Sequence, residues 1–415
     1  MNRLRHIKAA DLLFLIVIFD IAAFTLIGFK DQIINTAAIV FGALLSLLLL
    51  FVYSVVCLLF RHIDRFILII VFLLASLGLV IQYRIGANIA EKQLIMTGSG
   101  FLAMILCILL MRIPRLFRRL NWLLLSGSVA LLAVLIFIGD EQYGAKNWIV
   151  IGGYSFQPSE FVKVALVFIL ANYLTESRRL KDIRPLIGFV LTTVALLVFE
   201  RDLGAAVLIF GTALILFYVA TGNKFLTLTG MGAGAVGAAL SYLLFDHVKA
   251  RVSVWKNPWA TYSTSGYQIA QGLMAIASGG LWGAGLTLGS PKLIPAYHTD
   301  FIFAVICEEF GIIAGLCVIA FYLVLIVRGA LISLHSSDRY SMLLAFGCTV
   351  MLTLQSFVII GGVIKLIPLT GITLPFVSYG GSSMISCMML IGILEGVAIH
   401  NGEVLEMAMN GGTAL

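Results

Sequence analysis

The sequence predicts an all-α polytopic membrane protein, and three observations carry that prediction. Hydrophobic residues fill 61% of the 415 positions and charged residues only 11%. The mean hydropathy is +1.08, more apolar surface than a soluble domain of this length could keep from water. Runs long enough to cross a bilayer core, about 20 residues, recur along nearly the whole chain.

The runs lie at 12–29, 33–60, 66–83, 94–111, 122–139, 161–174, 186–199, 203–220, 225–245, 301–327, 341–364 and 382–400, giving about 12 transmembrane helices. Those at 161–174 and 186–199 are short, so either their boundaries are soft or their helices are partly irregular. The first lacks a convincing small-x-small cleavage site and is longer than the hydrophobic region of a signal peptide, so it reads as a retained helix. Asp20 within it is expected near the second helix or the interface. Residues 1–65, a cytoplasmic stub with two extra spans, form an N-terminal appendage. Residues 66–400 form the transmembrane core, with a large extracytoplasmic loop at 246–300. Residues 401–415 read as a short, disordered cytoplasmic tail.

Most of the 27 basic residues fall in alternate short connections, among them Arg3/Arg5/Lys8, Arg61/Arg65, the 112–119 and 178–184 clusters, Lys224 and Arg328/Arg339. By the positive-inside rule both termini face the cytoplasm, N-in and C-in. Basic loops facing anionic lipid account for the net charge of +7, so the partners expected are membrane lipids and no nucleic acid. The six cysteines all lie in apolar spans without metal-like spacing and read as small buried hydrophobes. Trp148, Trp255, Trp259 and Trp282 fall in outer loops, which are therefore expected to lie on the membrane. Gly279-Gly280-Leu281-Trp282-Gly283-Ala284-Gly285 misses the dinucleotide-binding spacing and reads as tight turns at that surface.

Charges within a membrane cost about 2.5–3.5 kcal/mol each on insertion scales, so each needs a partner or a task. Gln157-Pro158-Ser159-Glu160-Phe161-Val162-Lys163 opens the sixth span. Glu160 and Lys163, three apart, can pair on one face, and Ser159 is placed to cap the helix. Glu200-Arg201-Asp202 occupies a very short outer turn and is expected to line a cavity. His298-Thr299-Asp300 closes the long loop at the mouth of the tenth span. Asp300 suits a base working at the membrane surface, and its structural alternative is a helix N-cap. Glu308 and Glu309, about two turns on, are too far away to share its bond and are expected to do other jobs, such as holding neighbouring helices. Pro368 to Ser383, with two prolines and three glycines, cannot continue a helix and reads as a re-entrant or surface loop.

Taken together, these four segments resemble the SEDS family, the RodA/FtsW/SpoVE proteins of bacterial cell-wall synthesis. The match rests on Gln157–Lys163, Asp202-Leu203-Gly204, His298–Ala304 with Glu308-Glu309, and Leu374–Ser383, and covers roughly 66–400. The resemblance implies a ten-helix core in the bacterial cytoplasmic membrane that polymerises lipid II into glycan strands at its outer face, for cell shape, elongation or division. It implies that Asp300 is the acid essential for glycosyl transfer and that Glu160, Lys163 and Asp202 line a central cavity. It also implies a class B penicillin-binding protein, a transpeptidase, as partner. A lipid II flippase is the alternative function, although a long outer loop ending in a carboxylate favours chemistry on one face.

In the polymerase reading Asp300 takes the acceptor's proton, with His298 orienting it or the substrate. The leaving pyrophosphate needs positive charge from Lys292, Arg201, Lys146 or a divalent cation. Glu160, Lys163, Asp202, Arg201, Lys292, His298 and Ser378 are the candidate substrate-binding residues. The chain departs from the family pattern at Glu200-Arg201, where Gln-Pro is common, at Ala296, where an acid is common, and at Asn147, where Arg is common.

Overall fold

The computed structural model describes residues 8–29, 34–113, 117, 119–142, 145–152, 154–176 and 180–411. All twelve apolar runs are helical within it. The first six are α1 (Ala9–Gly28), α2 (Thr36–Leu59), α3 (Arg65–Ile85), α4 (Ala87–Met111), α5 (Asn121–Ile138) and α6 (Pro158–Glu176). They continue with α7 (Arg184–Phe199), α8 (Leu203–Thr221) and α9 (Lys224–Leu244), then two further helices in the long loop, α10 (Asp246–Lys256) and α11 (Tyr267–Gly279). The chain ends with α12 (Ile302–Leu334), α13 (Arg339–Val363) and α14 (Gly381–Gly411). Eleven are long and apolar enough to cross a membrane. The sixteen-residue α7 rises only about 24 Å, less than a bilayer core.

Short polar side chains start many of these helices. Asn35, Asp64, Asp202, Asn223 and Asp338 each accept a backbone N–H of the first turn, which satisfies donors the helix itself leaves unpaired. Helices α3, α6, α13 and α14 are mostly buried and form the centre of the bundle, while α9 has no buried residue. Asp20 is wholly buried and accepts a hydrogen bond from Ser76 on α3 at 3.1 Å. The carboxylate is thus buried against α3 rather than at the interface, where Ser76 offers the hydroxyl that a membrane-buried acid needs.

Three features depart from the expectations. Residues 140–156 form a small antiparallel sheet, β1 (Asp140–Gln142), β2 (Ala145–Ile151) and β3 (Tyr154–Phe156) in that order. Its signal is the β-branched run Ile149-Val150-Ile151 ahead of Gly152, which turns at φ +58. The tail is not disordered as far as Gly411: α14 continues through 401–411, and Glu406 meets Arg61 at 3.0 Å and His62 at 2.8 Å. Of the cysteines, Cys317 is exposed on the bundle surface rather than buried.

Helix α12 is broken at Gly311, whose φ is +86. The freed backbone is paired by the glycine loop after α11. Ala284 and Gly285 donate to the carbonyls of Glu308 and Glu309 at 2.9 and 3.0 Å, and Ile312 donates to Gly280 at 2.9 Å. A Cβ on Gly283 would collide with the Glu309 carbonyl, so the two backbones can approach only because that residue is glycine. Side chains complete the joint. Arg84 on α3 forms an ion pair with Glu309 at 2.6 Å and donates to the Thr287 and Gly289 carbonyls at 3.1 and 2.6 Å. Glu308 accepts from the Ser290 N–H at 2.9 Å. The two glutamates therefore hold the long loop to α12.

Arg84 and Glu309 are both almost completely buried. Arg84→Met should lower stability by about 3–5 kcal/mol, since it strands a buried carboxylate. Thermal unfolding in detergent measures this, and an unchanged midpoint would mean that the backbone bonds at Gly311 suffice alone.

Candidate active site

At the end of the bundle that carries the sheet and the long loop lies a cavity of about 590 Å³, within the range that holds small-molecule ligands. Its walls come from α4 (Lys92, Met96), the sheet (Asn147, Trp148), the 200–202 turn, α10 (Ala250, Arg251, Val254), α11 (Gln268, Ile269) and the 369–373 segment. Asp300 and Thr299 reach it from the mouth of α12, and Glu160 and Lys163 from α6. The polar residues of four separate motifs thus share one space.

Asp300 is not a cap. The N-cap of α12 is Phe301, with no side-chain hydrogen bond. Burial in the cavity wall pushes the Asp300 carboxyl up to about 6, while the Arg251 guanidinium and the Thr299 hydroxyl pull the other way. Arg251, on the outer helix α10, went unnoticed in the sequence. Its guanidinium donates to the Thr370 carbonyl at 2.8 Å, is lowered by burial, and is raised in turn by the charges of Asp300 and Asp202. Trp255, one turn along α10, donates to the Lys365 carbonyl at 3.1 Å, so both side chains seat α10 on the segment after α13.

Asp202 lines the cavity as expected and has a structural task besides. One carboxylate oxygen accepts the Ala205 N–H at 3.0 Å and starts α8. The other accepts from Asn147 at 2.7 Å, Gln157 at 3.0 Å and Ser159 at 3.0 Å. With four donors upon it, the group is a hub joining β2, α6 and α8, and its edge alone faces the cavity. Ser159 serves this hub and does not cap α6. Neighbouring Glu200 is buried, and no partner is found for either oxygen among the described residues. Burial pushes it up to about 8, with Asp202 adding to the shift, so near neutral pH it carries a proton. Arg201 turns through φ +64 and lines the cavity.

The cavity floor is an ion pair within a hydrogen-bonded chain. Lys163 meets Glu160 at 2.8 Å and donates to Gln355 at 3.0 Å. Ser386 donates to Glu160 at 2.6 Å, and Gln355 donates to the Thr373 carbonyl at 3.1 Å. The expected i,i+3 pair is therefore present and joins α6 to α13 and α14.

Three candidates stand outside this space. Lys292 is exposed in the turn Pro291–Leu293 and does not line the cavity; it is near Asp300 in sequence, but the Pro295–Tyr297 segment carries the chain away. His298 packs its ring between Tyr297 and Tyr379, at 5.1 and 5.6 Å, and burial lowers it. Its backbone carbonyl accepts the Tyr379 N–H at 2.9 Å, so it shapes the wall without lining the cavity. Ser378 is buried, donates to the Thr299 carbonyl at 2.6 Å and accepts the Leu374 N–H at 2.9 Å. It ties the last loop to the residue beside Asp300 and does not line the cavity. The side chain of Lys146 lies outside the described residues. Among the tryptophans, Trp259 and Trp282 are exposed as expected, whereas Trp148 and Trp255 are used within the protein.

Residues 53–403 match the family model of FtsW, RodA and SpoVE, described as cell cycle protein. Over 364 residues the chain is 34% identical to the peptidoglycan glycosyltransferase RodA of Mycobacterium tuberculosis, covering 81% of this chain and 78% of that one. It is 35% identical over 363 residues to the stage V sporulation protein E of Bacillus subtilis, covering 81% and 97%. A chain solved in a peptidoglycan synthase complex superposes with a TM-score of 0.69 at 27% identity, covering 82% of this chain and 98% of that one. The rod shape determining protein RodA of Thermus thermophilus gives 0.62 at 28%, covering 81% and 96%.

Asp202→Ala would strand donors from three segments and should cost about 3 kcal/mol or more. Asp300→Asn breaks none of those bonds and should leave the unfolding midpoint unlowered. Parallel melts of the two variants in detergent check the contrast, and equal losses would sink the hub assignment.

Proposed function

The chain belongs to the FtsW, RodA and SpoVE family, and from that premise we propose that it polymerises lipid II at the outer membrane face with Asp300 as general base. It is a peptidoglycan glycosyltransferase, a multi-pass protein of the bacterial cytoplasmic membrane. Placement of Lys and Arg along the chain supports assigning the cavity end to the outside. The observation that carries the catalytic assignment is Asp300 itself: a carboxyl at the cavity wall, made more basic by burial and facing a guanidinium.

A base with an affinity for protons near 6 is still ionised at neutral pH, yet accepts a proton more readily than a solvated carboxylate. Asp300 takes the proton of the acceptor's sugar hydroxyl as its oxygen attacks the donor's anomeric carbon. The bond from that carbon to the α-linked pyrophosphate breaks, and its electron pair leaves with undecaprenyl pyrophosphate. Attack from the opposite side gives a β linkage by inversion and needs no covalent enzyme intermediate. Arg201 and the Glu160–Lys163 floor line the same cavity as this reaction. No group of three or more His, Cys, Asp or Glu gathers among the described residues. A divalent cation bridging a pyrophosphate needs only one or two protein carboxylates, and no step is assigned to one.

A solved relative belongs to a complex that coordinates polymerization with crosslinking. By analogy we assign this chain a class B penicillin-binding protein as its transpeptidase partner, in elongation, division or another step of cell shape.

Glycan-strand formation from purified lipid II, with the transpeptidase partner present, tests the assignment. Asp300→Asn should reduce the rate by about 10²–10⁴-fold. Because the base must be ionised, wild-type kcat/KM should rise with pH and level off above about 6. Equal polymer from both proteins would remove Asp300 as the base. A wild type inactive where a control polymerase works would favour transport of lipid II instead.

A further inference from the structure

Arg251 and Asp300 flank one small gap. Gly371 stands beside it with φ +77, and the point where a Cβ would sit lies 3.6 Å from Asp300 Oδ2 and 3.8 Å from Arg251 Nη2. Apart from Gly371 and its two chain neighbours, no other described residue lies within 4 Å of that point. The carboxylate and the guanidinium form no direct ion pair among the described residues; each acts on the other across space that a missing side chain leaves open. A guanidinium carries five N–H donors in a planar fork. Among the described residues its one hydrogen bond is to the Thr370 carbonyl, so most of the fork is available to a ligand.

The arginine is also held in place with some care. Helix α9, which leads into α10, has no buried side chain. What seats α10 is one face of its own: Arg251 on Thr370, Val254 buried, and Trp255 on Lys365. Residues three and four apart on a helix share a face, so Arg251, Val254 and Trp255 set the rotation of α10 jointly and no one of them is its sole support. A solvated surface arginine would need no such seat.

We propose that Arg251 anchors the donor's diphosphate, and that it exchanges the field of Asp300 for that diphosphate when the donor binds. The inference rests on the glycosyltransferase reading above and names the group that receives the leaving charge. Arginine matches phosphate oxygens in a bidentate geometry that a lysine point charge does not reproduce. In the empty cavity the guanidinium favours the ionised carboxylate of Asp300. Once diphosphate oxygens occupy the fork, that support weakens and Asp300 binds protons more strongly. The donor thus makes the base more basic as it arrives. During transfer the acceptor proton moves to Asp300, the bond from the anomeric carbon to oxygen breaks, and the electron pair comes to rest on diphosphate oxygens facing Arg251. When the diphosphate departs, Asp300 regains its cation and gives up the proton.

Binding of geranylgeranyl diphosphate to the purified full-length protein in detergent tests the exchange without any turnover of lipid II. A failed polymerase reading and a failed exchange therefore show up in different assays. Arg251→Gln should weaken binding by about tenfold or more, and Arg251→Lys by less. Asp300→Asn should tighten binding severalfold, because it frees the guanidinium. In the Arg251→Gln background that gain should shrink to the small effect of removing one negative charge. Trp255→Phe removes the bond to Lys365 but no charge, and should lower affinity far less than Arg251→Gln. Unchanged binding in Arg251→Gln, an Asp300→Asn gain equal in both backgrounds, or a Trp255→Phe loss as large as that of Arg251→Gln would each overturn the proposal.

Discussion

One carboxylate, Asp202, holds the site in shape. It accepts four hydrogen bonds from backbone and side chains, and the donors come from β2, the start of α6 and the start of α8. A buried anion is expensive unless it is fully hydrogen-bonded, so the segments are obliged to meet at this point. Their meeting fixes where Glu160 emerges from α6 and where Arg201 turns into the cavity. Remove the anion and each donor becomes a cost in its turn.

A second constraint follows from the membrane. Backbone that is neither helix nor barrel survives at membrane depth only where protein satisfies it. Two non-helical stretches beside the site, the break at Gly311 and the 364–380 segment, are both paired by neighbouring groups. The glycine loop serves the first. Gln82 donates to the Val377 carbonyl at 2.9 Å, Gln93 accepts from Gly380 at 3.1 Å, and Tyr322 donates to the Pro375 carbonyl at 2.5 Å. The irregular segments are thus rigid parts of the scaffold, and they carry Gly371 and the wall beside Asp300.

The sequence made the helices plain, because long apolar runs admit one reading in a membrane. Glu160, Lys163, Arg201, Asp202 and Asp300 do line one cavity, and they were legible because intramembrane charge is scarce enough to stand out. Arg251 was hidden for a physical reason. It lies in Asp246-His247-Val248-Lys249-Ala250-Arg251, a charged stretch that reads as a solvated helix face, and only the docking of α10 on Thr370 and Lys365 turns it inward. Lys292 and His298 were favoured by nearness along the chain, which a loop folding back on itself does not respect. Ser378 belonged to the right motif with the wrong job. The three strands at 140–156 were too short to register beside so many helices.

The cavity floor has a bearing on turnover. Glu160 and Lys163 neutralise one another at 2.8 Å, so this pair of lining charges adds almost nothing to the net potential of the pocket. A pocket lined only by cations would hold a multiply charged product after every cycle and throttle its own rate. Here the floor orients polar groups through its hydrogen bonds while leaving little long-range pull on the departing diphosphate. A floor that holds its polar groups by hydrogen bonds and carries no net charge leaves product release to the cations at the rim of the site.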